Sequence, residues 1–405
     1  MKLGKRIVAL LLVVMLMSAL TACDTKPDTP QDSHLDWVYV IKTRNDGAVT
    51  KDGYYYSDGG ILTYADFATG KSIVLCAKPG CTHEGESDGN NPCDAEMPFW
   101  GDQILIENDT LYYRGDANIL YSRDATGGSL KELGTMAKKL IEEGKSVHAR
   151  PLALCNGYLY YEGDIKGTIE DPSGGTVGTA IGYCIGRFNV AQRKDEILML
   201  LEDADADYGE GIGFCAAREN GLLYLHYEGL GPVQDWENAD ANTLLEATQK
   251  VPVHIKHLNL TTGETTTILT VGSVDFGSVS SVENGKLYYT KNLRDGNSTF
   301  EVHSYDLVSG KDTVVFTDVA PLSLGKGYWQ CAKWLDAQTA ERHIYDANTG
   351  KVLPYELKDT LGIMNYSEYG LVVLNPITGV YSFISHDSLA DGLQESDLKQ
   401  LYGNT

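Results

Sequence analysis

A unit built around two tight turns recurs along this chain and restricts what it can fold into. In the plainest copy, Ser281-Val282-Glu283 meets Asn284-Gly285 and continues as Lys286-Leu287-Tyr288-Tyr289. A third extended run from Thr299 to Tyr305 reaches Asp306-Leu307-Val308-Ser309-Gly310, and Thr313 to Phe316 closes the unit. Asn-Gly between alternating apolar runs predicts a hairpin, because a type I′ turn needs positive φ at both central residues. Asp-x-x-Ser/Thr-Gly predicts a second turn with glycine in the left-handed position. Four short strands joined in this way make one antiparallel sheet.

The first turn recurs at Asp52-Gly53, Asn108-Asp109, Asn156-Gly157, Asn220-Gly221, Asn284-Gly285, Lys326-Gly327 and Tyr369-Gly370. Two places after each comes an apolar residue: Tyr55, Leu111, Leu159, Leu223, Leu287, Trp329 and Val372. The second turn recurs at Asp66, Asp124, Asn259, Asp306 and Asp346, with a degenerate copy from Asn189 to Arg193. A period of 42 to 64 residues with four strands per copy predicts an all-β fold, a single β-propeller of seven four-stranded blades over residues 36–405. The seventh unit looks short of an outer strand, with a short polar helix from Ser396. Trp37-Val38-Tyr39-Val40-Ile41 has no hairpin partner nearby, so it is expected to pair with the last blade and close the ring. Strand parity puts the tight turns on one rim. The long insertions, Cys76 to Cys93, Gly134 to His148, Glu162 to Ala180, Glu202 to Gly211 and Glu228 to Lys250, fall on the other. A tyrosine stripe (Tyr56, Tyr112, Tyr160, Tyr224, Tyr288) suggests rings packed between blades rather than a sugar platform.

The first 22 residues read as a signal segment. Lys2, Lys5 and Arg6 precede an apolar run of fourteen residues, Ile7 to Leu20, shorter than the ~20 that span a bilayer. It ends Leu20-Thr21-Ala22-Cys23, which resembles the lipobox of bacterial lipoproteins, with Cys23 the lipidated residue. Residues 23–35 are too polar to pack and read as a flexible tether. The expected location is therefore the outer side of a cell membrane, lipid-anchored. Removing the signal turns a formal charge of −23 into −26, with 30 basic against 56 acidic residues left. Such a surface repels phosphate backbones and anionic lipid heads, which excludes nucleic acid as a partner.

Cys76-Ala77-Lys78-Pro79-Gly80-Cys81-Thr82-His83, followed by Cys93, is the densest chemical constellation. Three thiols and an imidazole match the Cys₃His set of a structural zinc site. A disulfide is the competing reading, since an exported protein can keep one. It would leave one of the three thiols over and His83 without a role. Cys155, Cys184, Cys215 and Cys331 lie among apolar strand residues and read as buried free thiols. Asp203, Asp205 and Asp207 alternate as in a calcium loop, but glycine (Gly209) comes one place late and Phe214 stands where a bidentate glutamate is needed. A solvated acidic loop is the simpler reading. His254 and His257 fall on opposite faces of a strand and do not form a ligand pair. No G-x-S-x-G, H-E-x-x-H or P-loop sequence is present.

The lipobox, the repeat turns from Gly53 to Gly370 and the C-x₄-C-x-H…C segment together resemble a group of lipoproteins from Gram-positive gut bacteria. Their TolB-like propeller repeats often carry that cysteine segment after the first repeat. The resemblance implies a propeller fold and a membrane anchor rather than a particular reaction. The leading expectation is a binding or scaffolding module for a peptide, a glycan or an envelope protein, and not an enzyme. Its candidate ligand face is the loop-rich rim of blades one to four, with Trp236 and Asp203, Asp205 and Asp207 on it. The alternative is an extracytoplasmic carbohydrate-active hydrolase or lyase with acids on the same face.

Overall fold

A computed structural model describes residues 37–39, 47–83, 93–97, 103–128, 130–170, 176–202, 210–230, 243, 246–247, 251–273, 275–293, 299–335, 340–357 and 361–403. Strand β1 (Val38–Tyr39) comes first. The first sheet holds β2 (Gly47–Val49), β3 (Gly53–Asp58), β4 (Ile61–Asp66) and β5 (Ser72–Val74). The second holds β6 (Leu105–Glu107), β7 (Thr110–Arg114), β8 (Ile119–Asp124) and β9 (Lys131–Thr135). After a short helix α1 (Lys138–Glu142) the third has β10 (Ser146–Cys155), β11 (Tyr158–Glu170), β12 (Thr176–Asn189) and β13 (Lys194–Glu202). The fourth has β14 (Gly211–Arg218), β15 (Gly221–Tyr227), β16 (Pro252–Asn259) and β17 (Thr265–Gly272), joined by β1. Strands β18 (Phe276–Glu283), β19 (Lys286–Asn292), β20 (Phe300–Asp306), β21 (Asp312–Gly325), β22 (Tyr328–Trp334), β23 (Ala340–Asp346) and β24 (Lys351–Leu353) form one seven-stranded sheet. It consists of two four-strand meanders that share the long β21, one half in each. The last sheet has β25 (Gly362–Tyr366), β26 (Gly370–Asn375), β27 (Val380–Ser385) and β28 (Lys399–Gly403).

Each meander runs antiparallel in sequence order, and first strands touch the first strands of neighbouring sheets, so they line the axis of a β-propeller. Apolar side chains fill the gaps between sheets. Leu62, Ile104, Leu111 and Tyr113 lie between the first and second, and Leu120, Leu159, Tyr161 and Phe188 between the second and third. Tyr160, Phe214 and Leu222 continue the series, then Tyr288 with Trp329, then Leu324 and Ile344 with Leu371. Burying such a side chain contributes about 1.5–3 kcal/mol, so the ring is held mainly by these layers. The tyrosine stripe is part of them, each of its five rings at most 7% exposed.

The turns form where the sequence placed them, for two different reasons. Asn156-Gly157, Asn284-Gly285, Lys326-Gly327 and Asn108-Asp109 hold both residues at positive φ, as a type I′ turn demands. Gly53 and Gly370 do not. A Cβ on Gly53 would come within 2.2 Å of the Tyr64 ring, and one on Gly370 within 2.2 Å of the Ile384 carbonyl. At those two positions glycine serves close approach. The second turns are capped by their leading acid: the Asp66 carboxylate accepts from the Thr69 N–H and hydroxyl at 2.7 Å, and Asp306 does the same for Ser309 at 2.7 and 2.9 Å.

Three expectations need correction. The N-terminal strand does not close the ring: β1 pairs with β14, Val38 opposite Ala217 and Tyr39 opposite Ala216, on the axial edge of the fourth sheet. The last sheet's outer edge is already taken by β28, paired to β27, which occupies most of the segment read as a helix; only Glu395–Asp397 makes a single 3-10 turn. First and last sheets instead close face to face. Phe67 stacks on Phe383 at 3.8 Å between centroids, Val49 and Tyr54 meet Val372, and the Asn365 amide donates to the Gly47 carbonyl. Finally, Glu162 to Ala180 is not a loop insertion, because β11 and β12 continue through it as a long hairpin.

Candidate metal centre and the loop-bearing rim

The chain leaves β5 with the Leu75 N–H on the Leu62 carbonyl (3.0 Å) and turns at Pro79-Gly80, where Gly80 has φ +75°. The Cys81 N–H closes that turn on the Lys78 carbonyl at 3.4 Å. On its return, residues 93–97 take the edge that β5 has vacated: Leu62 N–H donates to the Ala95 carbonyl and Met97 N–H to the Gly60 carbonyl, both at 2.8 Å. The two limbs bring Cys76, Cys81, His83 and Cys93 together, their ligand atoms all within 4.8 Å of one another. His83 holds a left-handed φ of 62°, which aims Nδ1 at the Cys93 sulfur, 3.5 Å away. A non-glycine residue kept in that region signals a constraint beyond local propensity.

The donor set fits a tetrahedral dication. With Zn–S bonds of ~2.3 Å, the edges of a Cys₃His tetrahedron are ~3.8 Å, so a small contraction of the observed cluster suffices. Burial opposes ionisation of Cys76, but the Lys78 and Asp94 N–H groups and the two neighbouring thiols outweigh it and bring that thiol below its ordinary value. Burial pushes Cys93 up to about 12, with the hydrogen bonds to Cys81 and Cys76 adding to it. Three sulfurs this close cannot all carry charge without a cation between them. Among the described residues all seven cysteines are free thiols. The cluster sits on the core shared by the first and second sheets, and Arg123 of β8 donates to the Glu96 carbonyl at 3.3 Å. The crossover is thus fastened to both sheets.

Cys155, Cys184, Cys215 and Cys331 are buried as expected, and burial raises the thiols of Cys155 to about 11 and of Cys184 and Cys331 to about 12. His254 and His257 diverge: His254 meets Glu228 (2.8 Å) and Thr270 (2.9 Å), while His257 lies edge-on to Trp37, 6.0 Å between centroids. Cys23, Asp203, Asp205, Asp207 and Trp236 lie outside the described residues.

The rim with the long connections carries polar groups that sequence spacing does not reveal, since they come from separate strands. Lys256 donates to His226 at 2.8 Å beside the His254–Glu228 pair; burial, then Lys256 and His254, hold His226 below its ordinary value. Arg150 lies 3.6 Å from both Glu162 and Asp164. Arg114, buried, reaches His148 at 2.9 Å and Asn118 at 3.5 Å. These sets bring acid and base together on a rigid frame, suited to holding a polar partner.

No protein-family model matches the chain, and no curated protein matches it. Solved structures do. Puromycin hydrolase aligns with a TM-score of 0.53 at 10% identity over 90% of this chain, which spans about half (54%) of that protein. Oligogalacturonate lyase in complex with manganese gives 0.48 at 10% identity, covering 89% of this chain and 92% of the lyase. TolB from Acinetobacter baumannii gives 0.36 at 13% identity, covering 84% and 76%. At such identities the likeness is one of fold alone.

Proposed function

We propose that this chain is a seven-bladed propeller lipoprotein of the TolB-like type, anchored through Cys23 outside a Gram-positive membrane, that binds a peptide, glycan or envelope protein on its loop-bearing rim. The observation that carries this reading is the placement of the longest connections: those from β5 to β6 and from β15 to β16 leave one rim, whereas the other rim bears tight turns except for residues 386–398. Loops held by a rigid scaffold are where recognition concentrates. Cys76, Cys81, His83 and Cys93 would hold a structural zinc ion. All four positions are protein ligands, so the ion clamps the crossover and offers no open position to a substrate.

The soluble form from Asp24 onward, presented to arrays of peptidoglycan fragments, host and bacterial glycans and envelope peptides, is expected to bind one class saturably without product. Replacing residues 231–250 with a short Gly-Ser linker should abolish that binding. Turnover on a polysaccharide panel, lost on substitution of a loop carboxylate, would instead establish the carbohydrate-active alternative. Metal analysis should find one zinc per chain, lost in Cys81→Ser; full thiol titration restored only by reductant would replace zinc with a disulfide.

A further inference from the structure

The metal centre and the ring are held by different bonds. The two limbs that carry the centre are fastened by backbone contacts that need no ion. On one side the Leu75 N–H donates to the Leu62 carbonyl; on the other Leu62 N–H meets Ala95, Met97 N–H meets Gly60, and Arg123 donates to the Glu96 carbonyl. Between the limbs, each of the three thiols lies within hydrogen-bond reach of the other two. Their exposure is uneven. Cys76, Cys81 and His83 are part-exposed, whereas Cys93 is 6% exposed and faces His83 Nδ1 at 3.5 Å. Cys155, Cys184, Cys215 and Cys331 are each at most 6% exposed within the sheets, so an oxidant in solution meets the crossover first. The odd number of thiols matters too. One disulfide consumes two of them and leaves a single thiol and an imidazole, too few donors for a tetrahedral zinc site.

We propose that the centre is a redox switch: a hypohalous acid joins Cys76 and Cys81 in a disulfide and expels the zinc ion, leaving Cys93 reduced beside His83. This rests on the reading of the four residues as a zinc site. The thiolate, not the thiol, is the nucleophile. One of the two part-exposed sulfurs attacks the chlorine of hypochlorous acid: an S–Cl bond forms, the Cl–O bond breaks, and the hydroxide released takes a proton to become water. The second thiolate then displaces chloride and forms the S–S bond. Two electrons pass from the sulfurs to chlorine, and a second proton goes to Cys93 as the ion departs. Pro79-Gly80 already bends the chain between the pair, with the Cys81 N–H on the Lys78 carbonyl at 3.4 Å, so the new bond closes within one turn. Oxidation unties that turn from Cys93 and changes the loop-bearing rim at this crossover, while the limbs and the sheets stay in place.

The test uses the full chain, zinc-loaded and held in mild detergent, treated with a small excess of hypochlorous acid. Zinc release is read with a chromogenic chelator, and the state of each thiol by differential alkylation and mass spectrometry. One zinc is expected to leave for each Cys76–Cys81 disulfide formed, with Cys93 still alkylated as a thiol and the far-ultraviolet circular dichroism unchanged. Dithiothreitol followed by zinc should restore the loaded form. Cys93→Ser, which lacks one metal ligand, is expected to form the same disulfide. Zinc retained after the oxidant is consumed, or a disulfide that includes Cys93, would overturn the switch and leave the zinc reading standing. A fully reduced chain that binds no zinc would overturn both.

Discussion

If the ring is shut by side-chain packing and not by an exchanged strand, two perturbations must rank in a definite order. Phe383→Ala removes a ring that is 4% exposed and stacked at 3.8 Å on Phe67, across the seam between first and last sheets. A buried phenylalanine truncated to alanine costs about 3–5 kcal/mol, of which about 1 is the aromatic pair. Deleting residues 36–44 takes away β1 and the indole of Trp37, whose burial of about 150–250 Å² is worth about 4–6 kcal/mol gross. Ordering Trp37, Val38 and Tyr39 costs about 1–2 kcal/mol each in backbone entropy, so the deletion changes stability by no more than about 3 kcal/mol and by about zero at the middle of these ranges. Urea unfolding followed by circular dichroism should show one cooperative transition for both variants, with the larger fall in stability for Phe383→Ala. The packing account fails if the deletion abolishes cooperativity, or if Phe383→Ala changes stability by less than about 0.5 kcal/mol.

Two further outcomes can be checked on the same protein. Tyr161→Phe removes a hydroxyl that donates to Asp195 at 2.6 Å and accepts from the Ala137 N–H at 2.9 Å, and should cost about 2 kcal/mol. Burial already holds the Asp195 carboxyl above its ordinary value; losing the donor raises it further, so the deficit should shrink as the pH is lowered from 7 towards 5, measured by urea midpoints. His386 is held below its ordinary value by burial, although the Leu324 and Glu368 carbonyls pull the other way. The folded state therefore prefers the neutral ring. Its contribution is complete above the unfolded value of ~6.5 and is lost as pH falls below it, with a slope no steeper than about 1.4 kcal/mol per pH unit. His226, His257 and His343, also depressed by burial, act in the same direction. A His386→Gln variant should show a flatter fall between pH 6.5 and 5.

The Asn-Gly and Asp-x-x-Thr-Gly turns are legible because each is decided within four residues, by φ at one or two of them and by a side-chain oxygen reaching its own backbone. The cysteine crossover is legible for a similar reason. Its four donors lie within eighteen residues, and Pro79-Gly80 supplies the bend between the first two. The tyrosine stripe announced its burial through repetition at one strand position. By contrast, Gly53 and Gly370 match the turn motif, yet the reason they must be glycine is a neighbouring ring or carbonyl on another strand. The Arg150–Glu162–Asp164 and Lys256–His226 groupings join residues of different strands, with no spacing rule to mark them.

The amino-acid sequence by itself determined most of the strands, their tight turns, the antiparallel order within each sheet and the site where three thiols and an imidazole meet. Tertiary structure alone decided where β1 goes and what closes the ring. A strand edge offers the same row of N–H and C=O groups to any partner. Which edge it takes depends on what else is free to occupy it, and here β28 fills the outer edge of the last sheet, while the axial edge of β14, with Arg218 and His257 flanking the indole, accepts Trp37.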